Sequence, residues 1–280
     1  MPDSVVTLEK ESESQKVIIN EEIKYPAIFL LGAQGVGKST LGNMLLGCYS
    51  QPSEESPLPI FPISNGQYPD NDDDDSQEIY HTAEITIDFK RYSLVDTIGI
   101  PESSTSDVIW NKLKKIENKS SEGVVAYIFV LEGGRLTQHE LLFISKLFTR
   151  YPNTRIIVVF TKVRKSLILS RMEMEKTFNT QISTLLYGIK NRWIVMPSLD
   201  LFGNNDQGKI VIKDFVDELK KKIMEVRDNE NVRKEELNNP KARGETPAKF
   251  GRREKIIYAS SCACVVVVIF IVVILTHRKS

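Results

Sequence analysis

Apolar residues cluster along this chain in short continuous runs, separated by stretches where they recur at helical spacing. Residues 27–31, 124–131 and 155–160 are near-continuous apolar runs, as strands buried on both faces require. Residues 84–95 instead alternate and are rich in β-branched side chains, which predicts one or two antiparallel strands. A further short strand is predicted at 192–196. Helical spacing begins after Lys38, where Leu41, Leu45 and Leu46 share a face. It recurs at 106–117, at 136–148 (with Leu141, Leu142, Ile144 and Leu147 apolar), at 171–186 and at 209–227. Strands alternating with helices predict an α/β fold, a mostly parallel sheet covered by helices on both faces.

The flanks differ from this core. Residues 1–24 are polar and mixed in charge, which predicts a flexible arm with a short strand at 16–20. The folded domain is expected at 25–227. Within it, residues 51–77 are rich in Pro, Ser, Asn and Asp and carry a carboxylate run from Asp70 to Asp75. That run lacks the Gly and distal Glu of an EF-hand loop, so a mobile, solvated loop is predicted. Residues 228–255 are charged and interrupted by Pro240, Gly244, Pro247 and Gly251, the composition of a linker.

Residues 256–276 carry no charge, and 265–275 are wholly apolar. This length suits one transmembrane helix. Arg252, Arg253 and Lys255 precede it, and Arg278 and Lys279 lie in the short basic tail 277–280. The pattern predicts a single-pass tail anchor inserted after synthesis, with the main domain facing the cytosol. The basic tail favours the mitochondrial outer membrane and the Val/Ile-rich span favours the endoplasmic reticulum; both stay open. Cys262 and Cys264, near the cytosolic end of the span, suit burial in it or acylation.

Composition narrows the function classes. Lys plus Arg and Asp plus Glu are both 37, so no global charge points to nucleic acid. The N-terminus has no apolar secretory segment. Cys48, Cys262 and Cys264 form neither a disulfide framework nor a metal-binding spacing.

The chemistry-bearing stretch joins the first apolar run to the first helix. Gly32-Ala33-Gln34-Gly35-Val36-Gly37-Lys38-Ser39-Thr40 has the P-loop spacing in its strand-to-helix context. Backbone N–H groups from Gly35 to Ser39, at the positive end of a helix dipole, would cradle phosphates. Lys38 would reach the β- and γ-phosphates, and the Ser39 hydroxyl would ligate Mg²⁺. Asp96-Thr97-Ile98-Gly99 ends a second apolar strand. There Asp96 would hold Mg²⁺, usually through water, and the Gly99 N–H would face the γ-phosphate. Thr82 is the expected source of a further Mg²⁺-binding hydroxyl, with Ser76 second.

Four stretches resemble the immunity-associated nucleotide-binding G-domain family of septin-like GTPases. They are Gly32 to Gly47, including Gly42-Asn43 and Leu46-Gly47; Leu94-Val-Asp-Thr-Ile-Gly99; Val130-Leu-Glu-Gly-Gly-Arg-Leu-Thr-Gln-His-Glu140; and Val158-Val-Phe-Thr-Lys162. The resemblance covers roughly residues 26–200 and implies a P-loop NTPase G domain that binds GTP or GDP with Mg²⁺. It implies base contacts from Thr161, Lys162 and Ser198, and pairing of two G domains through the nucleotide face. Arg135 would assist that pairing or would be a solvated loop residue.

The chain departs from the family pattern at four places, one of them Leu136 at the aromatic position of the third stretch. Ile98 replaces Pro. Arg164 stands where the guanine-reading Asp is expected, and a donor cannot replace that acceptor. Ile100 and Pro101, rather than Gln or His, follow Gly99, so hydrolysis would be slow unless a partner supplies a group. The resulting expectation is a membrane-anchored guanine-nucleotide switch. The alternatives are a tethered scaffold with a degenerate or structural nucleotide site, and a P-loop enzyme using ATP or a nucleoside diphosphate.

Overall fold

The apolar runs form the centre of one sheet. The computed structural model describes residues 18–19, 23–48, 59–63, 80–97, 99, 106–133, 137–150, 155–202 and 206–238. Its strands are β1 (Ile18–Ile19), β2 (Ala27–Leu31), β3 (Tyr80–Ile87), β4 (Lys90–Thr97), β5 (Val124–Glu132), β6 (Ile156–Thr161) and β7 (Trp193–Val195). Among the described residues they form one seven-stranded sheet in the order β1-β3-β4-β2-β5-β6-β7. From β4 to β7 every neighbouring pair is parallel. The β3–β4 hairpin and β1 add an antiparallel edge. The helices are α1 (Lys38–Leu45), α2 (Ser106–Asn118), α3 (Gln138–Arg150), α4 (Lys165–Ile168), α5 (Arg171–Glu175), α6 (Thr180–Gly188), α7 (Leu199–Phe202) and α8 (Asp206–Asn238).

Strand alternation divides the interior into two layers. Ala27, Phe29 and Leu31 of β2 share one core with Leu113 and Ile116 of α2, Leu141 and Leu147 of α3, and Leu185 of α6. Ile28 and Leu30 share the other with Leu41 and Met44 of α1 and with Leu219 and Ile223 of α8. Because both faces of β2, β5 and β6 are covered, their sequences read as continuous apolar runs.

Three expectations change. The helix predicted over 171–186 is broken in two, and α4 precedes it. Ser170 accepts from the Glu173 N–H to start α5, and Asn179 accepts from the Ile182 N–H to start α6. Between them Phe178 packs against Phe160 and Trp193, with ring centroids 5.1 and 5.2 Å apart. Local caps and aromatic burial outweigh a continuous helix there. Secondly, α8 extends past Arg227 to Asn238, into the stretch expected to be linker. The span predicted at 256–276 lies outside the described residues, among which no helix is long and apolar enough to cross a membrane.

Thirdly, the loop expected to be mobile is pinned at 59–63. Phe61 is fully buried. Its N–H donates to Asn43 Oδ1 at 2.7 Å, and its carbonyl accepts from Asn43 Nδ2 at 2.9 Å. Gly42 makes room for the ring, since a Cβ there would stand 2.5 Å from Phe61 Cδ2. The Gly42-Asn43 pair after the P-loop thus has a packing role: it docks the returning chain on α1.

Replacing Asn43 by Ala would leave two buried backbone groups of Phe61 unpaired. The expected cost is about 3 kcal/mol, read as a lowered denaturant midpoint with an unchanged m-value.

Candidate functional site

The parallel strands end at one edge of the sheet, and the candidate residues gather there. β2 delivers Gly32 and Ala33, the chain turns through Gln34 to Gly37, and α1 begins at Lys38. β4, parallel to β2, places Asp96 opposite Leu30 in register. The chain between Leu30 and Ser39 therefore arches over the end of β4. Ser39 Oγ donates to Asp96 Oδ2 at 2.6 Å, tying the start of α1 to the end of β4. Thr97 donates to the Leu30 carbonyl at 2.7 Å and holds the same junction from the side.

Lys38 is buried in this arch. Its ammonium donates to the carbonyls of Gly32 at 3.2 Å and Ala33 at 2.8 Å. Burial lowers its pKa to about 8, against the opposing charges of Asp96 and Glu140. Burial also pushes the Asp96 carboxyl up to about 6, while the Ser39 hydrogen bond and the Lys38 charge pull it down. At neutral pH the arch holds one desolvated cation and one desolvated anion.

Asp96 Oδ1 is buried with no hydrogen-bond partner. A buried carboxylate oxygen without a donor suits a divalent cation. Among the described residues no group of three or more His, Cys, Asp or Glu side chains could cage a metal. A cation at Asp96 and Ser39 would then complete its shell with water and phosphate, the habit of Mg²⁺.

Gly99 lies against the arch from the β4 side. A Cβ there would stand 2.4 Å from Gln34 Cα and 2.6 Å from Gln34 N, so only glycine allows this approach. Thr40 is half-buried in the first turn of α1.

The expected base-side residues also reach the arch, in part. Thr161, at the end of β6, is fully buried and donates to the Val36 carbonyl at 2.6 Å, with the Leu131 carbonyl at 3.2 Å. Thr161 and Met196 flank Gly37: a Cβ on Gly37 would lie 3.7 Å from Thr161 Cγ2 and 3.8 Å from Met196 Cε. Ser198, two residues beyond Met196, uses its carbonyl to accept from Leu201 and Phe202 at the start of α7. Lys162, at φ 53°, is exposed and donates to Glu132 at 2.9 Å. Arg164 is exposed and precedes α4 without a side-chain cap. Arg135 and Ser76 lie outside the described residues.

Thr82 is not brought to the site. It pairs with Val95, whereas His81 pairs with Asp96. Cross-strand partners share a face and neighbours along a strand do not. Thr82 therefore sits with Val95 on the α2–α3 side of the sheet, and Asp96 and Ser39 on the α1 side. In this register Thr82 faces away from Asp96 and Ser39 and does not join them as a Mg²⁺ ligand.

One site residue was missed. Glu140, in the first turn of α3, is buried, and its charge acts on Lys38. Its carboxylate accepts from the Thr137 N–H at 2.9 Å and the Thr137 hydroxyl at 2.8 Å, while Thr137 Oγ1 accepts from the Glu140 N–H at 3.2 Å. This is a capping box, and Thr137-x-x-Glu140 before an apolar run is its sequence signature.

A scan against protein-family models finds no match, and no curated protein sequence matches the chain. Among solved structures, the chain is similar to the FeoB G-domain from Methanococcus jannaschii, with 14% identity and a TM-score of 0.39, over 72% of this chain and 99% of that one. It is also similar to the cytosolic domain of the T. maritima FeoB iron transporter in apo form, with 16% identity and a TM-score of 0.36, over 69% and 63% of the two chains. The P-loop G-domain fold rests here on the chain's own sheet order and on the arch between β2 and α1.

Holding Lys38 charged costs the fold roughly 3 kcal/mol, from its lowered pKa. The native state binds this proton less tightly than the unfolded chain, so the cost is full below about pH 8 and vanishes above 10.5. Lys38→Met is expected to be more stable than wild type at pH 7 by roughly 2–3 kcal/mol. The difference should shrink between pH 8 and 10.5 in paired denaturant titrations.

Proposed function

We propose that this protein is a membrane-anchored guanine-nucleotide-binding switch with slow or partner-dependent GTP hydrolysis. The observation that carries the nucleotide reading is the Ser39–Asp96 contact of 2.6 Å beside a buried, unpartnered Asp96 Oδ1. The Lys38 ammonium, held by two backbone carbonyls, would be the matching phosphate-binding cation. When bound, Mg²⁺ would neutralise phosphate charge. Ser39 and Asp96 would hold it, Lys38 would balance the phosphate charge, and the N–H groups from Gly35 to Ser39 would cradle the oxygens.

The switch would act through the segments on either side of the site, Gln51–Thr82 and Gly99–Ser106, which lead into β3 and α2. Slow hydrolysis follows from Ile100 and Pro101, neither of which can orient a water. Membership of the immunity-associated G-domain family, and pairing through the nucleotide face, belong to this proposal and rest on the motif resemblance. Anchoring rests on the uncharged stretch 256–276, with the domain facing the cytosol from the endoplasmic reticulum or the mitochondrial outer membrane.

A second reading, a tethered scaffold with a degenerate or structural nucleotide site, draws on Arg164. An exposed donor stands where guanine recognition needs an acceptor.

Titration of the detergent-solubilised chain with GTP, GDP and ATP in Mg²⁺ separates the two. The switch reading expects guanine-nucleotide binding that Lys38→Ala abolishes. No binding of any nucleotide by a folded chain would favour the scaffold. Arg164→Asp restores an acceptor, so it should strengthen GTP over ATP by about tenfold or more, the worth of one well-placed polar contact.

A further inference from the structure

The turn between β3 and β4 breaks two rules at once. Asp88 and Phe89 form its centre, at φ 50° and 58°. Two positive φ values between paired strands mark a type I′ turn, where Asn, Asp and Gly are the usual occupants. Phe at such an angle is an outlier. Phe89 is also 99% exposed, so its ring has no packing role that would offset the strain. Strain and full exposure at one aromatic residue point to a role outside the fold.

The position of this turn gives the direction. β4 begins at Lys90 and runs parallel to β2. The turn therefore lies at the starting end of the parallel strands, opposite the arch with Lys38 and Asp96. α8 joins the two ends. Its first residues follow α7 and β7 at the nucleotide end. Near its far end, Arg227 donates to Asp88 at 3.2 Å, to the Tyr92 hydroxyl at 3.2 Å and to Asp228 at 2.8 Å. The chain thus leaves the domain at the pole where Phe89 projects.

Charge at this pole is mixed. Lys90 and Arg91 are exposed beside Phe89. Asp88 is held by Arg227, while Arg91 is held by Glu84 and lies over the Tyr25 ring. Lys90 lies exposed next to the ring, with the Asp228 carboxylate as the opposite charge that it acts on. An aromatic tip with a neighbouring lysine fits the boundary between lipid headgroups and acyl chains.

We propose that Phe89 is a second membrane contact, inserting into the headgroup region of the bilayer that holds residues 256–276. This rests on the anchored reading above. The 17 positions 239–255 span up to about 56 Å when extended, so the tether lets the tip reach the surface. Two attachments at one pole would turn the nucleotide end toward the cytosol, where a second copy or a partner can meet it.

The test uses the full chain inserted in phosphatidylcholine–phosphatidylserine vesicles, with and without lipids brominated near the headgroup. Phe89→Trp places a probe at the tip, and Leu201→Trp places one on α7 at the nucleotide end; wild type supplies the background of Trp110 and Trp193. Neither substitution disturbs the core, since Phe89 is fully exposed and Leu201 is 44% exposed. The emission added at position 89 is expected to fall about twofold with brominated lipid, as for a ring at the acyl boundary, while that at 201 stays unchanged. Carbonate extraction of the same vesicles tests the anchor independently. A chain released by carbonate would overturn the anchor and this proposal together. A retained chain with no quenching at 89 would overturn this proposal alone, and a blue shift without quenching would assign the tip to protein contact instead. Equal quenching at 89 and 201 would overturn the defined orientation.

Discussion

A buried lysine stands within electrostatic reach of a buried aspartate that one serine hydroxyl holds, and most of the architecture serves to keep them there. Neither charge is neutralised by a direct ion pair. Lys38 is satisfied by the carbonyls of Gly32 and Ala33. Asp96 has one oxygen on Ser39 and the other without a donor. Such an arrangement survives only if the surrounding backbone cannot relax. The end of β2, the end of β4 and the start of α1 are therefore each fixed from outside the arch. Thr97 ties β4 to β2, and Thr161 ties β6 to the arch at Val36. Gly99 closes against Gln34.

The two cores supply the rigidity behind those ties. The core containing α1 and α8 is continued by Phe61, which Asn43 clamps onto α1. The opposite core carries α2, α3 and α6, and the capped start of α3 brings the Glu140 charge under Lys38. The helix that carries Lys38 and the helix that carries Glu140 thus lie on opposite faces of the sheet. The arch around Lys38 and Asp96 is accordingly the better-built part of the site. The part around Lys162 and Arg164 is looser: Lys162 is engaged with Glu132 at the surface, and Arg164 is exposed.

How much of this could be read in advance depends on distance along the chain. The P-loop was legible because strand, glycines, lysine and helix start are contiguous between Ala27 and Leu45. The ladder of parallel strands was legible because burial on both faces leaves a continuous apolar run. The split between α5 and α6 was harder, since Phe178 abandons the helix for Phe160 and Trp193, partners distant in sequence. The capping box at Thr137 and Glu140 was local and visible, but its electrostatic reach to Lys38 was not.

Thr82 marks the boundary most clearly. Its composition and its place near the site are right, yet it faces the wrong side of the sheet. The register of the β3–β4 hairpin sets which of His81 and Thr82 lies opposite Asp96, and a shift of one residue would exchange them. By itself the sequence determined most of the elements, their order and the strand-to-helix arch, because periodicity and contiguous motifs are local properties of the backbone. Only the tertiary structure decided which side chains share a face, which loop docks at Asn43 and which distant carboxylate acts on Lys38. Those depend on pairing register and on three-dimensional proximity, which spacing along the chain does not encode.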